Sequence, residues 1–544
     1  MRHSKMLSLL CQVVSLAAIL VLVPAQHTGE CDVSATEKEL HIFNCSGKNI
    51  FQVGEIPEQA EVIDYSDNYI STIPPIEESE KCDHEKCLTD IDQSDYCRLD
   101  ISFSRNEISF IEGSPFSKLR CLRSLDLSYN RLTEEAITKE LFFKDAGYFQ
   151  LKRLILRGNP IKKLVEDTFS FPFMKYIEEI DLSECSIMNI AANSVDDLRS
   201  LKVLDLSKNK LTQLHPATFK GLHNLITLNL RHNQLAQITG HVFVDLVNLN
   251  ALLLSQNKIT SFDGNALVNT SKLVQIDISN NELTSIPYTA IDNLLLLETL
   301  DLSNNPITDV SQGSRVSSVK TLILDSLPLT ELGDHALASF PHLVTLSISG
   351  NVRLKKIHPF VFGNHPSSLR EVAMENNAIN TLSRDILPWK QLKSLRLSGN
   401  PFYCDDALEW MIKATAIQGD TICQEPINLR GQDIKNLKPE ELSRVYPTEA
   451  VEALILVCVC TPLIFVCAIL IWKRRRHCAC LSVKVRGRYV SVYTRDVNDE
   501  GEQRVTIELK ANFKKLSAVS NGEPDDSKPF IKIDNGKPDE EEEI

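Results

Sequence analysis

An Asn recurs twelve times along this chain inside one frame, LxxLxLxxNxL, and from Asn209 through Asn233, Asn257, Asn281 and Asn305 it returns every 24 residues. The apolar positions of such a frame, numbered here 1, 4, 6 and 11, face a shared interior. The Asn at position 9 is placed to hydrogen-bond backbone groups of adjacent coils that neither a sheet nor a helix would satisfy. No single coil can bury its apolar face alone. A ladder of them makes a one-dimensional solenoid with a long curved surface, an architecture suited to binding macromolecules rather than to chemistry.

The frames start at Ala60 and Arg98, both degenerate at position 1, and then at Leu122, Leu151, Ile177, Leu201, Leu225, Leu249, Leu273, Leu297, Val319, Leu343, Leu369 and Leu392. LKVLDLSKNKL at Leu201 and LETLDLSNNPI at Leu297 are typical. About 14 coils far exceed the roughly three that a solenoid needs. These frames resemble the leucine-rich repeat, which implies an α/β solenoid: a horseshoe with a parallel β-sheet on its concave face. Two coils break the ladder. Cys185 takes the Asn position in the fifth, which the repeat consensus allows and which predicts a free, buried, structural thiol. Leu327 takes it in the eleventh, which predicts local irregularity because the orphaned backbone groups must find other partners.

Residues 1–25 read as a secretory signal, with Arg2, His3 and Lys5 ahead of an apolar run that ends at Val23-Pro24-Ala25. A second run, Ala453–Trp472, is uncharged and about 20 residues long, matching the roughly 30 Å hydrocarbon core of a bilayer. Lys473, Arg474, Arg475 and Arg476 abut it, so the positive-inside rule predicts a type I single-pass protein of the plasma membrane, N-terminus outside. Of the 15 Cys, nine fall between the signal and this run, and without Cys185 they number eight. An even number in an oxidising compartment predicts disulfides. Cys31 with Cys45 would close an N-terminal cap, and Cys404 with Cys423 a C-terminal one. Cys82, Cys87, Cys97 and Cys121 form two further pairs with three possible connectivities. Cys82, His84 and Cys87 in CDHEKC are potential zinc ligands, but oxidation in a secreted chain favours disulfides, and no metal or cofactor is expected.

The reading divides the chain into signal 1–25, N-terminal cap 26–59, repeats 60–399 with an acidic insertion at 74–97, C-terminal cap 400–440, stalk 441–452, membrane span 453–472 and tail 473–544. NPFYCDDALEWMIKA from Asn400 resembles the C-terminal flanking module of extracellular leucine-rich repeat proteins, which implies a helix carrying a buried Trp, here Trp410. Residues 31–57 resemble the second half of the N-terminal flank. Both keep two Cys where the family module commonly has four. Asn44 and Asn269 fall in N-x-S sequons and are glycosylation candidates, Asn269 on the variable side of its coil.

Strand alternation sends positions 3, 5 and 7 out of the concave face. Asp occupies position 5 at Asp64, Asp126, Asp181, Asp205, Asp277 and Asp301, a row read first as solvated surface and second as an acidic stripe selecting basic partners. Departures from this LDLS pattern mark the expected protein-binding surface: Arg153, Ile155 and Arg157 in the fourth coil, Asn229 and Arg231 with His232 in the seventh, Leu253 in the eighth and Ile323 in the eleventh. Nucleic acid is excluded as a partner by a net charge of −14 and the lack of a basic stripe with interleaved aromatics.

The tail is too short for a Toll-type signalling domain or a kinase, and its composition predicts disorder. Its basic start suits the anionic inner leaflet. Cys478 and Cys480 are palmitoylation candidates, Tyr489 opens a YxxΦ trafficking pattern, Tyr493 is a second phosphorylation candidate, and the C-terminal Ile544 suits a PDZ groove. A cytosolic adaptor on the tail is a possible partner. No nucleophile elbow, metal-protease helix or phosphate loop is present, so no enzyme is expected. Residues 31–440 resemble the single-pass extracellular leucine-rich repeat receptors and adhesion molecules, including Toll-receptor ectodomains and connectin-like and capricious-like proteins. The resemblance implies cell recognition or adhesion through a protein ligand. The alternatives are an innate-immune or hormone-type sensor that borrows a partner's signalling, and a membrane-anchored trafficking scaffold.

Overall fold

In the computed structural model the described residues are 31–442, apart from 36–40, 55–59, 75, 77–97, 112, 114, 117–118, 120, 138–150, 170–173, 312 and 364–366, together with 481–485, 488–492 and 510–511. The first of two compact units is a β-solenoid of about 14 turns. Each turn contributes one short strand to a single sheet of 17 strands. Asp32–Ala35 pairs antiparallel with His41–Asn44, and from there each strand pairs parallel with the next in chain order, ending at Ile417–Gln418. Register is strict: Val203, Thr227, Ala251, Gln275 and Thr299 stand side by side at position 3. Positions 4 and 6 are buried in every coil and positions 1 and 11 in most, as at Leu201, Leu204, Leu206 and Leu211, the exceptions being Ala60, Arg98 and Arg353.

The ladder Asn side chains tie successive coils together. The Asn257 Nδ2 donates to the Leu230 carbonyl of the previous coil at 2.9 Å and to Leu254 of its own at 3.0 Å. Its Oδ1 accepts the Leu235 N–H, two residues past the previous ladder Asn, at 3.0 Å. Asn209, Asn233, Asn281 and Asn305 repeat the pattern. The residue ahead of each ladder position is left-handed: from Asp67 through Asn376 the non-glycine occupants have φ of 53–60°, and Gly158, Gly350 and Gly399 fill the same place. Left-handed geometry costs an L-residue energy, so the bonds around the Asn must hold it.

Both exceptions to the ladder behave as expected. Cys185 is a free, fully buried thiol whose Sγ donates to the Leu156 carbonyl at 3.2 Å, the bond an Asn amide would make. It offers no counterpart to Oδ1, and the Ile161 N–H turns instead to Asn159 O at 2.8 Å within its own coil. At Leu327 the ladder slips. The Asn351 Oδ1 takes the Leu327 N–H and the Asn377 Oδ1 takes the Asn351 N–H, two residues early, until Asn400 regains the usual partner at Ile379.

Disulfides Cys31–Cys45 and Cys404–Cys423 close the two ends. Cys121 is also disulfide-bonded, while Cys82, Cys87 and Cys97 lie outside the described residues. Tyr65 and Phe103 replace Leu at position 6 in the two degenerate coils and stack at 5.5 Å, filling the core beside the first cap. Trp410 sits on the helix Glu409–Ile412 but is half-buried rather than buried, stacked on Trp389 at 3.6 Å.

The α part of the expected α/β solenoid is largely absent. Among the described residues the convex side of the repeats returns through three-residue turns, such as Thr218 to His215, Leu222 to Phe219 and Leu225 to Leu222. The one α-helix there is a single turn, Tyr288–Ile291. About 13 residues of return, broken by Pro216 and Gly221, are too few to nucleate a helix and rejoin the sheet.

In the second unit, from Tyr446 onward, a small sheet forms where the tail's overall composition predicts disorder. Leu481–Val485 pairs antiparallel with Arg488–Val492, which pairs with Lys510–Ala511. The register pairs Leu481 with Val492 and Val483 with Val490, an alternating apolar pattern that overall composition conceals. The signal, Cys478, Cys480, Tyr493 and Ile544 lie outside the described residues. So does the run Ala453–Trp472; among the described residues no helix is long and apolar enough to cross a membrane.

Burial pushes the Cys185 thiol up to about 12, leaving almost no thiolate at neutral pH. Peptide mapping after iodoacetamide treatment at pH 8 is expected to find Cys185 unmodified in the folded chain and fully modified in denaturant.

Candidate functional site

Along the concave sheet the position-5 carboxylates have a structural task. The Oδ1 of Asp64, Asp126, Asp181 and Asp205 each accepts the N–H of position 7 at 2.8 Å, with Asp301 and Asp277 doing the same at 2.9 and 3.1 Å. The N–H groups of positions 6 and 8 bond across to the next coil, as at Leu206 and Lys208, whereas that of position 7 points out of the sheet. An Asp two residues earlier closes a local turn on it. Asn229 serves Arg231 the same way at 3.2 Å.

Ala373 and Arg396 near the end of the stack cannot close that turn, and neither can three larger aliphatics within it. Ile155, Leu253 and Ile323 stand where the Asp would be, each half-buried and flanked across the sheet by acids or amides. Ile155 lies between Asp126 and Asp181, Leu253 between Asn229 and Asp277, and Ile323 beside Asp301. Burial and the neighbouring charges of Asp277 and Asp325 push the Asp301 carboxyl up. At Asp277 burial acts in the same direction but is outweighed by hydrogen bonds from Ser279 and Arg231, so its carboxyl is held below the usual range. The face is therefore acidic with three aliphatic islands.

Each arginine expected at the surface is engaged by an acid of a following coil. Arg153 pairs with Glu179 at 3.0 Å, Arg157 with Glu184 at 2.7 Å, and Arg231 reaches two coils along to Asp277 at 2.6 Å while bonding Ser255 at 3.0 Å. His232 is exposed on the left-handed residue next to Arg231. Glu184 is a hub: Lys208 donates to it at 2.8 Å, Arg157 at 2.7 Å and the Tyr129 hydroxyl at 3.2 Å. The Arg157 guanidinium also lies 5.6 Å from the Tyr129 ring centre, and that of Arg105 5.8 Å from it. Sequence spacing did not reveal this cluster, because its members at position 8 are turned aside by their left-handed backbone. The predicted residues thus form separate stations along one sheet, not one cluster.

The sequon residue Asn269 is exposed on the convex side of the eighth coil, away from the sheet. Asn44 is different: it ends a sheet strand in register with Asp64, half-buried, its Oδ1 accepting the Ser46 N–H at 2.8 Å. Among the described residues no group of three or more His, Cys, Asp or Glu side chains is placed to hold a metal ion.

A one-dimensional stack of coils that presents one continuous sheet defines a repeat scaffold. The family model for Leucine rich repeat matches residues 149–211, 199–259, 248–307 and 341–402, and a second Leucine Rich repeat model matches 118–139. Residues 118–139, 149–307 and 341–402 thus carry leucine-rich repeats. Similar solved structures include an LRR protein of Leptospira interrogans, at 20% identity and a TM-score of 0.46, covering 69% of this chain and 94% of that one. The Toll–Spatzle complex of Drosophila gives 22% identity and 0.41, covering 71% of this chain and 48% of that one, so the chain spans about half of its length. The octameric complex of Latrophilin 3, Unc5D and FLRT2 gives 20% and 0.40, covering 75% and 97%.

Hydrogen bonds from Lys208 and then Arg157 lower the Glu184 carboxyl from the ordinary 4.5 to about 2. A depressed acid contributes stability above its ordinary pKa and loses it as pH falls through the folded one. Thermal melts are expected to show Glu184→Gln less stable than the parent at pH 6, with the gap closing between pH 4.5 and 2.

Proposed function

We propose that this chain is a cell-surface recognition or adhesion protein that takes a protein ligand on its concave sheet. The observation that carries the reading is the loss of the position-5 turn at Ile155, Leu253 and Ile323. Each replacement leaves an aliphatic side chain half-exposed among acids and gives up the local turn that the Asp coils keep; at Ile323 the Asp325 N–H turns to the Ser303 hydroxyl at 3.3 Å instead. Such departures belong at sites of function. A complementary partner surface carries apolar anchors ringed by basic groups. Arg153, Arg157 and Arg231, already neutralised by neighbouring acids, orient the rim by hydrogen bonding rather than by net charge.

The membrane topology belongs to the same reading. Disulfides in both caps suit an oxidising compartment, and the uncharged Ala453–Trp472 followed by four basic residues supports a single span with the solenoid outside. Asn44, at the end of the sheet, and Asn269, on the convex side, would carry glycans without covering the stations from the fourth to the eleventh coil.

The test is a screen of secreted and cell-surface proteins against the full chain displayed on cells, repeated with Leu253→Asp. The expected outcome is a ligand whose affinity falls at least about tenfold, near 1.4 kcal/mol, in the variant while its melting temperature holds. Ligands bound equally by parent and variant would contradict the reading.

A further inference from the structure

Position 2 of each frame forms a second row, on the edge of the sheet where the chain enters the strands. Its backbone is continuous: the N–H of Lys202 donates to Glu178 O, Ile226 to Lys202, Asn250 to Ile226, Val274 to Asn250, Glu298 to Val274 and Lys320 to Glu298, all at 2.7–2.9 Å. These seven side chains therefore stand in line at a spacing of about 4.8 Å. In order they read acid, base, apolar, amide, apolar, acid, base. Turned end for end about Asn250, these seven, the middle of a row that the same bonds continue through Lys152 and Val344, are their own complement. Lys202 then faces Glu298, Glu178 faces Lys320, Ile226 faces Val274, and Asn250, which both donates and accepts, faces itself.

We infer that this edge docks a second copy of the chain, antiparallel, on a two-fold axis through Asn250. An isologous contact requires a self-complementary patch, and charge complementarity selects the register. Shifting the axis half a coil one way sets Lys202 against Lys320 and Ile226 against Glu298. Shifting it the other way sets Glu178 against Glu298. Both alternatives juxtapose like charges.

The surroundings suit a buried contact. Ile226, Val247, Leu295 and Leu296 are 42%, 39%, 76% and 53% exposed along this edge, and Val247 lies three residues ahead of Asn250 in the chain. Exposed aliphatics gathered on one edge mark an interface. At each flank the acids are already held within one copy, Glu178 by Lys152 and Lys202 at 2.5 and 2.6 Å, and Glu298 by Lys320 at 2.5 Å. Docking extends these pairs into alternating networks without moving a charge out of a partnered state. The concave sheet stays open, so the contact is independent of the ligand face proposed above.

Cysteine cross-linking of the full chain in cells tests the register. Asn250→Cys is expected to give a disulfide-linked dimer on mild oxidation, where the parent and Lys393→Cys, at position 2 but outside these seven, do not. Ile226→Cys and Val274→Cys chains are expected to cross-link when co-expressed but not singly, because each is about 10 Å from its own symmetry mate and a disulfide needs Cα atoms within about 7 Å. Glu298→Lys should cut the Asn250→Cys dimer about tenfold, and Lys202→Glu in the same chain should restore it. A folded Asn250→Cys chain that stays monomeric overturns the proposal. So does Ile226→Cys cross-linking as well alone as with Val274→Cys, or a dimer that forms only when Asn269→Gln removes the nearby sequon.

Discussion

The side-chain amide of the ladder Asn holds this structure together. A coil that turns every 24 residues leaves backbone groups pointing inward that no repeating secondary structure can pair. The Asn amide answers them with two donors and an acceptor on a short, rigid stem: Asn233 bonds Leu206, Leu230 and Arg231 carbonyls and the Leu211 N–H. Each bond contributes about 0.5–1.5 kcal/mol, and leaving a buried group unmade costs about 1–3. Packing of the Leu positions supplies the larger share of stability, but it is non-directional. The amides set the pitch and the register.

Much of the surface follows from that register. With coils locked in step, residues 24 apart stand one strand spacing away, so ion pairs form along the stack: Lys202 with Glu178 and Lys208 with Glu184. Rows of side chains become continuous surfaces, acidic with aliphatic islands on the sheet and alternating in charge along its edge. The left-handed residue beside each Asn turns position 8 away from the sheet, which gathers Tyr129, Glu184 and Lys208 on the border. A binding face assembled on such a scaffold is preorganised, and little ordering accompanies ligand capture.

The repeating part of the fold was legible in the chain because its physics is periodic. Asn209 to Asn305 fixed the coil, the cap disulfides followed from Cys number and placement, and the roles of Cys185 and Leu327 followed from what they replace. What stayed hidden was the short-range backbone geometry. Nothing in LDLS says that Asp205 closes a turn on Ser207, because a polar residue on a strand face reads equally well as solvated surface. Nor does Lys208 announce a positive φ, whereas Gly158, Gly350 and Gly399, with Asp67, Asn280, Asn304 and Asn376, are residue types that favour it. The arginines of the face were found but not their partners, which lie one or two coils away. The α contribution was expected from the repeat class, whereas the short, Pro- and Gly-interrupted returns of this chain allow only turns.

The account stands or falls on the ladder, and one variant tests it most directly. Asn257→Ala removes the acceptor for the Leu235 N–H and the donor to the Leu230 carbonyl in the middle of the most regular coils. Hydrogen exchange read alongside denaturant unfolding is predicted to show the Leu235 amide losing protection and the chain losing about 3 kcal/mol or more. Unchanged protection at Leu235, with stability within about 0.5 kcal/mol of the parent, a range typical of neutral surface changes, would contradict it and leave apolar packing as the determinant of the coil.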